Sequence, residues 1–285
     1  MSVHEPVPSL LSERYFVVTD RVAAALERTG ALRGRTVAIP DPTLRTRLDA
    51  TLRSLGADVH DHKNAHDDAS GDTSASELVL DSAALDRAIT TSPTISALDT
   101  AAWTEVVLRH FARRSNLLVA STPTLVLGDG PVAEHLASAL ATIGARVERA
   151  DELRSTRGPH LIPAAVAVVF ATGERHPVVT PDAIEPASSH PLVLVDAARP
   201  DATGAVDRDA FDVHPTVGAR EGIDGRNVGR DVFVIDRPGT GDPTLRRAQA
   251  DTATAFALAF LAAGAAAPGV GDAAAERLLA KALAT

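Results

Sequence analysis

The stretch from Leu125 to Asp151, LVLGDGPVAEHLASALATIGARVERAD, constrains the fold more than any other part of the chain. An apolar run ends in Gly-x-Gly-x-x-Ala, an alanine-rich segment of helical pattern follows, and a second strand pattern beginning near Gly144 closes on an acid. In such a strand–turn–helix–strand unit the first glycine permits the tight turn. The second lets a pyrophosphate approach the backbone, and the third small residue lets the helix lie close to the strand. Gly128, Gly130 and Ala133 fit those places. The helix that follows points its N-terminal amides and the positive end of its dipole at a bound phosphate. The turn Gly128, Asp129, Gly130, Pro131 and Val132 is therefore the expected cofactor cradle, with Asp151 placed to accept hydrogen bonds from ribose hydroxyls. An acid there favours NAD over NADP, because a 2′-phosphate would meet like charge. Arg149 and Arg154 leave open a pairing with that phosphate.

Around this unit the apolar patterning repeats. Val22 to Leu32 has helical spacing, Arg35 to Pro40 the form of a short buried strand, and Leu44, Leu48, Leu52 and Leu55 recur at helical spacing before Gly56. The segment from Ala57 to His62 reads as a second strand, which completes a βαβ unit in the first third. Residues Asp61 to Ser76 are polar and without period, and read as a loop. Helices are expected at Ser82 to Thr90, at Thr100 to Arg114, from about Thr244 past Leu261, and at the end of the chain. Further strand patterns lie in AVAVVFATG, PLVLVDA and DVFVID. The whole predicts an α/β protein of two αβ modules, the second a doubly wound parallel-sheet Rossmann-type dinucleotide-binding domain. The boundaries expected are 1–115 with 240–285 for a substrate-type module with C-terminal helices, and 116–239 for the NAD-binding domain.

Charge and composition exclude several partners. A net charge of −9 opposes nucleic-acid binding, which needs a basic face to displace counterions from phosphate. The absence of cysteine rules out disulfides, thiolate zinc sites and iron–sulfur clusters, and suits a cytoplasmic protein. MSVHEPVPSLLSERYFVV lacks the basic start and unbroken apolar core of an export signal. The apolar stretch ATAFALAFLAAGAAAPGVG is too rich in alanine and glycine to span a bilayer and reads as a buried helix. A small-molecule ligand is expected, with no nucleic acid and no membrane. A homo-oligomer stays open.

LRGRTVAIPDPTLRTRLDATLRSLGADV, the segment from Trp103 to Val147, AVAVVFATGERHPVVTPDAI, GRDVFVID and ADTATAFALAFL together resemble S-adenosylhomocysteine hydrolase, in the same order along most of the chain. The resemblance implies tightly held NAD, with Thr172 beside it. It also implies a substrate cleft lined by Asp41, Thr43, Arg45 and Asp242, in which Arg45 suits a carboxylate or phosphate. Against the family's pattern, Asp41 stands at a histidine position, Arg45 at a glutamine position, Arg199 near a second histidine and Asp242 at a third. The family's lysine and Asp-Asn pair have no counterpart in SALDTAAWTEVVLRH, and its C-terminal Lys and Tyr tail is absent. With the general bases replaced together, the hydrolase reaction is expected to be lost. The expected function is an NAD-dependent oxidoreductase-like activity on a small polar or nucleoside-like substrate. The alternatives are a catalytically silent NAD- or nucleoside-binding relative that works through a protein partner, and a structural subunit. Catalytic residues are not assigned.

The remaining clusters read blandly. His60, His62 and His66 with Asp61, Asp67 and Asp68 fit no single secondary structure as ligands and read as a solvated loop, so no metal is expected. His135 reads as a surface residue and Trp103 as core, and neither a hydrolase triad nor a triphosphate loop is present.

Overall fold

The computed structural model describes residues 10–60, 77–150, 162–173, 179–184, 191–200, 202–207, 209–211, 223–228, 231–266 and 272–284. The chain divides into two compact units, 1–99 with 246–285, and 100–245.

The first unit is built on a three-stranded parallel sheet of β1 (Thr36–Ala38), β2 (Asp58–His60) and β3 (Glu77–Val79), in the order β2-β1-β3. The expected strand–helix–strand is present, with α2 (Pro42–Ser54) as the crossover. Leu48 and Leu52, one turn apart, bury that helix against a core shared by Val37 and Val59. Strand β3 escaped the sequence pattern because it has only three residues, two of them exposed, directly after a polar run. Helix α1 spans Leu10–Thr29, and α3 spans Ser82–Thr91. Helix α4 spans Pro93–Arg114, starting well before the expected Thr100. Helices α6 (Pro243–Ala266) and α7 (Asp272–Ala284) return the chain to this unit, where Ala255 to Ala259, Ala275 and Leu279 join the core.

The second unit holds a six-stranded sheet of β4 (Pro123–Leu127), β5 (Arg146–Ala150), β6 (Val168–Ala171), β7 (Leu192–Asp196), β8 (Arg226–Asn227) and β9 (Val232–Ile235). Its order is β5-β4-β6-β7-β9-β8, parallel throughout except for β8, a two-residue edge strand without a sequence signal. Strands β6, β7 and β9 are buried along their whole length, so they read as unbroken apolar runs. Side chains alternate between two cores. Val126, Phe170, Val195 and Phe233 meet α4 and α5 (Pro131–Thr142), through Trp103, Val107, Phe111 and Leu136. Leu127, Val169, Leu194 and Val234 pack on the other face against Ile162, Val179, Ala183 and Val206. Among the described residues that second face is covered by connecting segments and the 3-10 turn Pro181–Ala183 rather than by α-helices.

Candidate dinucleotide site at the sheet edge

Counted within their unit, the parallel strands run 2-1-3-4-5, and the order reverses between β4 and β6. Doubly wound sheets bind ligands outside the carboxyl ends of the strands that flank this reversal. Gly128 follows β4 and Thr172 follows β6, so two of the sequence-expected residues sit on either side of it. Gly128 has φ +134°, and its amide donates to the Ala150 carbonyl at 3.1 Å. Thr172 donates to the Leu127 carbonyl twice, from its amide at 3.0 Å and from its Oγ1 at 3.1 Å. A methyl group on Gly128 would lie 2.0 Å from Thr172 Oγ1 and 3.7 Å from the Ala133 methyl. The first glycine is thus demanded by contacts inside the protein, and Ala133 provides the close helix–strand approach expected of it.

Gly130 is the N-cap of α5 and brings no side-chain cap, whereas Asp41 caps α2 and Asp81 caps α3 through their carboxylates. Pro131 occupies the first turn, where its missing N–H costs nothing. Val132 is 1% exposed and packs its side chain in the core. Asp129 is half-buried between the glycines, and Arg149 lies on β5. Asp151 and Arg154 fall outside the described residues. Ala150, the residue before Asp151, is the one that holds the Gly128 amide.

Further along the same edge is a group that the apolar patterning did not single out. Asp196, fully buried at the end of β7, accepts from the amides of Ala198 at 3.1 Å and Ala205 at 3.2 Å. Trp103 Nε1 donates to the Ala197 carbonyl at 2.9 Å. Arg237 Nη1 donates to the carbonyls of Arg199 at 3.0 Å and Ala202 at 2.6 Å. Gly173 (φ +66°) sits so close to Ala198 and Ala205 that a methyl there would lie 3.4 and 3.1 Å from theirs. The segments 197–200 and 202–205 are therefore braced beyond the carboxyl end of β7, and the first carries Arg199, whose Nη2 reaches Thr100 Oγ1 at 3.3 Å. An acid closing the otherwise apolar run LVLVD was the available signal.

Asp41 and Asp242 have local structural duties. Asp41 Oδ1 accepts from the amides of Thr43 at 2.7 Å and Leu44 at 3.0 Å, and Asp242 Oδ1 from that of Thr244 at 2.8 Å. Both acids open the same pentapeptide, Asp-Pro-Thr-Leu-Arg, at 41–45 and 242–246, and each precedes a helix with proline at its first position. Thr43 is exposed and Arg45 half-buried. Asp41, Thr43 and Arg45 belong to the first unit, and Asp242 and the glycine turn to the second.

Asp242 also faces Arg113 at 3.8 Å and lies near His110, a half-buried imidazole on α4. Burial and the Arg114 charge hold His110 below the usual histidine range. A hydrogen bond to the Asp236 backbone and the Asp242 charge act in the opposite sense. His135 is exposed on α5, and His60 Nε2 meets Glu77 Oε1 at 3.0 Å. His62 and His66 lie outside the described residues. Among the described residues no group of three or more His, Asp or Glu could hold a metal ion, and no helix is long and apolar enough to cross a membrane.

No protein-family model matches the chain, and no curated protein matches it. Among solved structures it is similar to dipicolinate synthase A chain from Bacillus subtilis, at 14% identity and a TM-score of 0.42 over 78% of this chain and 95% of that one. It is similar to transhydrogenase from Sinorhizobium meliloti at 14% identity and a TM-score of 0.44, over 82% and 86%. It is also similar to methylenetetrahydrofolate dehydrogenase-cyclohydrolase from Trypanosoma brucei, complexed with NADP and an inhibitor, at 16% identity and a TM-score of 0.36 over 87% and 94%. Likenesses at this level assign neither activity nor ligand to the present chain.

Proposed function

We propose that the protein is an NAD-dependent oxidoreductase that holds the dinucleotide at the Gly128–Val132 turn and acts on a small polar substrate. The observation that carries this reading is the position of the α5 N-terminus, entered through Gly128 and Gly130, at the strand-order reversal. A pyrophosphate there meets the positive end of the helix dipole. The residues fit such a group: Gly128 and Gly130 keep side chains off the turn, Thr172 and Ala150 hold its start, and Asp151, next in the sequence after Ala150, is the acid expected at the ribose. When bound, the cofactor supplies a hydride acceptor. The chain's own part is to orient it and to hold the substrate against it.

On this reading the braced Arg199 faces an acidic group of the substrate. The S-adenosylhomocysteine hydrolase reaction is not part of it, because Asp41 and Asp242, standing where that family's histidines would be, hold helix amides instead. The same observation favours the second reading, a related protein that binds NAD or a nucleoside without turnover and works through a protein partner.

A panel of small alcohols and hydroxy acids, assayed for dinucleotide reduction by the wild-type protein and by Arg199→Gln, separates the two. Reduction by an acidic substrate that is lost in Arg199→Gln supports the enzyme. Dinucleotide binding with no reduction across the panel sinks it and leaves the second reading.

A further inference from the structure

We propose that β5 is a self-pairing edge, through which two copies of the chain join their six-stranded sheets in a two-fold dimer. Strand β5 ends its sheet on one side and has β4 as its neighbour on the other. The Arg146 amide donates to the Thr122 carbonyl at 3.1 Å, and the Ala150 carbonyl accepts the Gly128 amide at 3.1 Å. Backbone groups alternate in direction along a strand. Arg146, Glu148 and Ala150 therefore turn theirs toward β4, while Val147 turns its N–H and C=O outward. An outward pair of this kind is the template that a further strand uses.

Charged side chains on an edge usually deter such pairing. Here their order selects one register instead. Arg146 and Glu148 are exposed and project from the same face of the strand, two residues apart. Arg146 Nε donates to the Ser121 carbonyl at 2.9 Å, which ties the guanidinium to the loop before β4, and among the described residues Glu148 has no hydrogen bond or ion pair. In a two-fold pair each contact occurs twice with the roles exchanged. With the axis at Val147, the two Val147 residues exchange their backbone bonds, and Arg146 and Glu148 each lie opposite the other residue of the second copy. These are non-hydrogen-bonded positions, where side chains approach most closely. Moving the axis by one residue sets Arg146 against itself or Glu148 against itself. With the axis at Val147, Arg149 falls opposite Ala145 rather than another arginine.

The amino end of the edge adds apolar surface. Ile143, at the end of α5, is 47% exposed, and Leu118, whose carbonyl accepts from Thr122 Oγ1 at 2.5 Å, is 85% exposed. The Ser121 amide donates to the Gly144 carbonyl at 2.7 Å and brings these two segments together. In the same register Ala150 of the second copy falls opposite Gly144, beside Ile143.

The test is analytical ultracentrifugation of the full-length protein over a concentration series, with Arg146→Glu and Glu148→Arg measured alone and as an equimolar mixture. The wild-type protein is expected to dimerise reversibly. Each variant alone sets two pairs of like charge across the axis and should weaken the dimer by about tenfold or more. The mixture should recover it, because the acidic face of one variant then meets the basic face of the other. Recovery also shows that both variants are folded. A monomeric wild-type protein, variants that dimerise as tightly as the wild type, or a mixture no stronger than its components overturns the proposal.

Discussion

Gly128 combines two constraints: a backbone at φ +134°, and a neighbouring hydroxyl where a Cβ would stand. Gly128→Ala is expected to destabilise the protein by about 1–3 kcal/mol, from backbone strain together with displacement of Thr172 Oγ1. Part of that cost should disappear in the Thr172→Ala background, because the clash is with the hydroxyl. A double-mutant cycle by urea denaturation measures the difference. Equal costs in the two backgrounds would mean that the turn gives way without Thr172. At this scale the sequence was informative where a residue's role is local. Gly-x-Gly-x-x-Ala marks positions whose backbone the motif itself defines, and Ala133 packs as its size demands. Asp41 and Asp242 were ambiguous, because an Asp-Pro pair before a helical pattern signals a cap as readily as a ligand. The repeat of the pentapeptide was the clue to the first meaning. The surroundings of His110 were illegible, since Asp236 and Asp242 reach it only through tertiary packing.

Among the elements, α4 shows how a helix boundary can be set from far along the chain. It opens at Ser92-Pro93-Thr94, where Ser92 Oγ accepts from the Ile95 amide at 3.1 Å. Glu276 on α7 accepts from the Thr94 amide at 2.9 Å and from the hydroxyls of Ser92 and Thr94. A carboxylate 182 residues away thus completes the cap, which is why spacing alone began this helix at Thr100. Burial pushes the Glu276 carboxyl up, but the hydrogen bonds from Ser92 and Thr94 outweigh it and hold the group below the usual glutamate range. A carboxylate lowered in the fold contributes stability above its unfolded value and loses it as pH falls through the folded one. Glu276→Gln should therefore lower the thermal midpoint at neutral pH and show a smaller further fall on acidification than the wild type. Parallel melting curves at every pH would contradict that assignment. Glu276→Ala, which removes all three bonds, is expected to cost about 1–2 kcal/mol.

For the whole molecule, the central strands were readable because each is buried on both faces and leaves an unbroken apolar run, as Val168–Ala171 and Leu192–Asp196 do. The short edges β3 and β8 were not, since two or three residues cannot display a period. Strand order was legible only as a class. The reversal between β4 and β6 that locates the candidate site depends on pairing, which local pattern does not encode. That reversal, with the glycine turn and the α5 N-terminus beside it, is the ground for placing a dinucleotide there. The most direct measurement is a calorimetric titration of the purified protein with NAD and with NADP, repeated on Gly130→Val, whose branched side chain would stand where the pyrophosphate approaches. Saturable binding of NAD, weaker binding of NADP and loss of both in Gly130→Val are the expected results. No binding of either dinucleotide, or equal binding that survives Gly130→Val, would contradict the account.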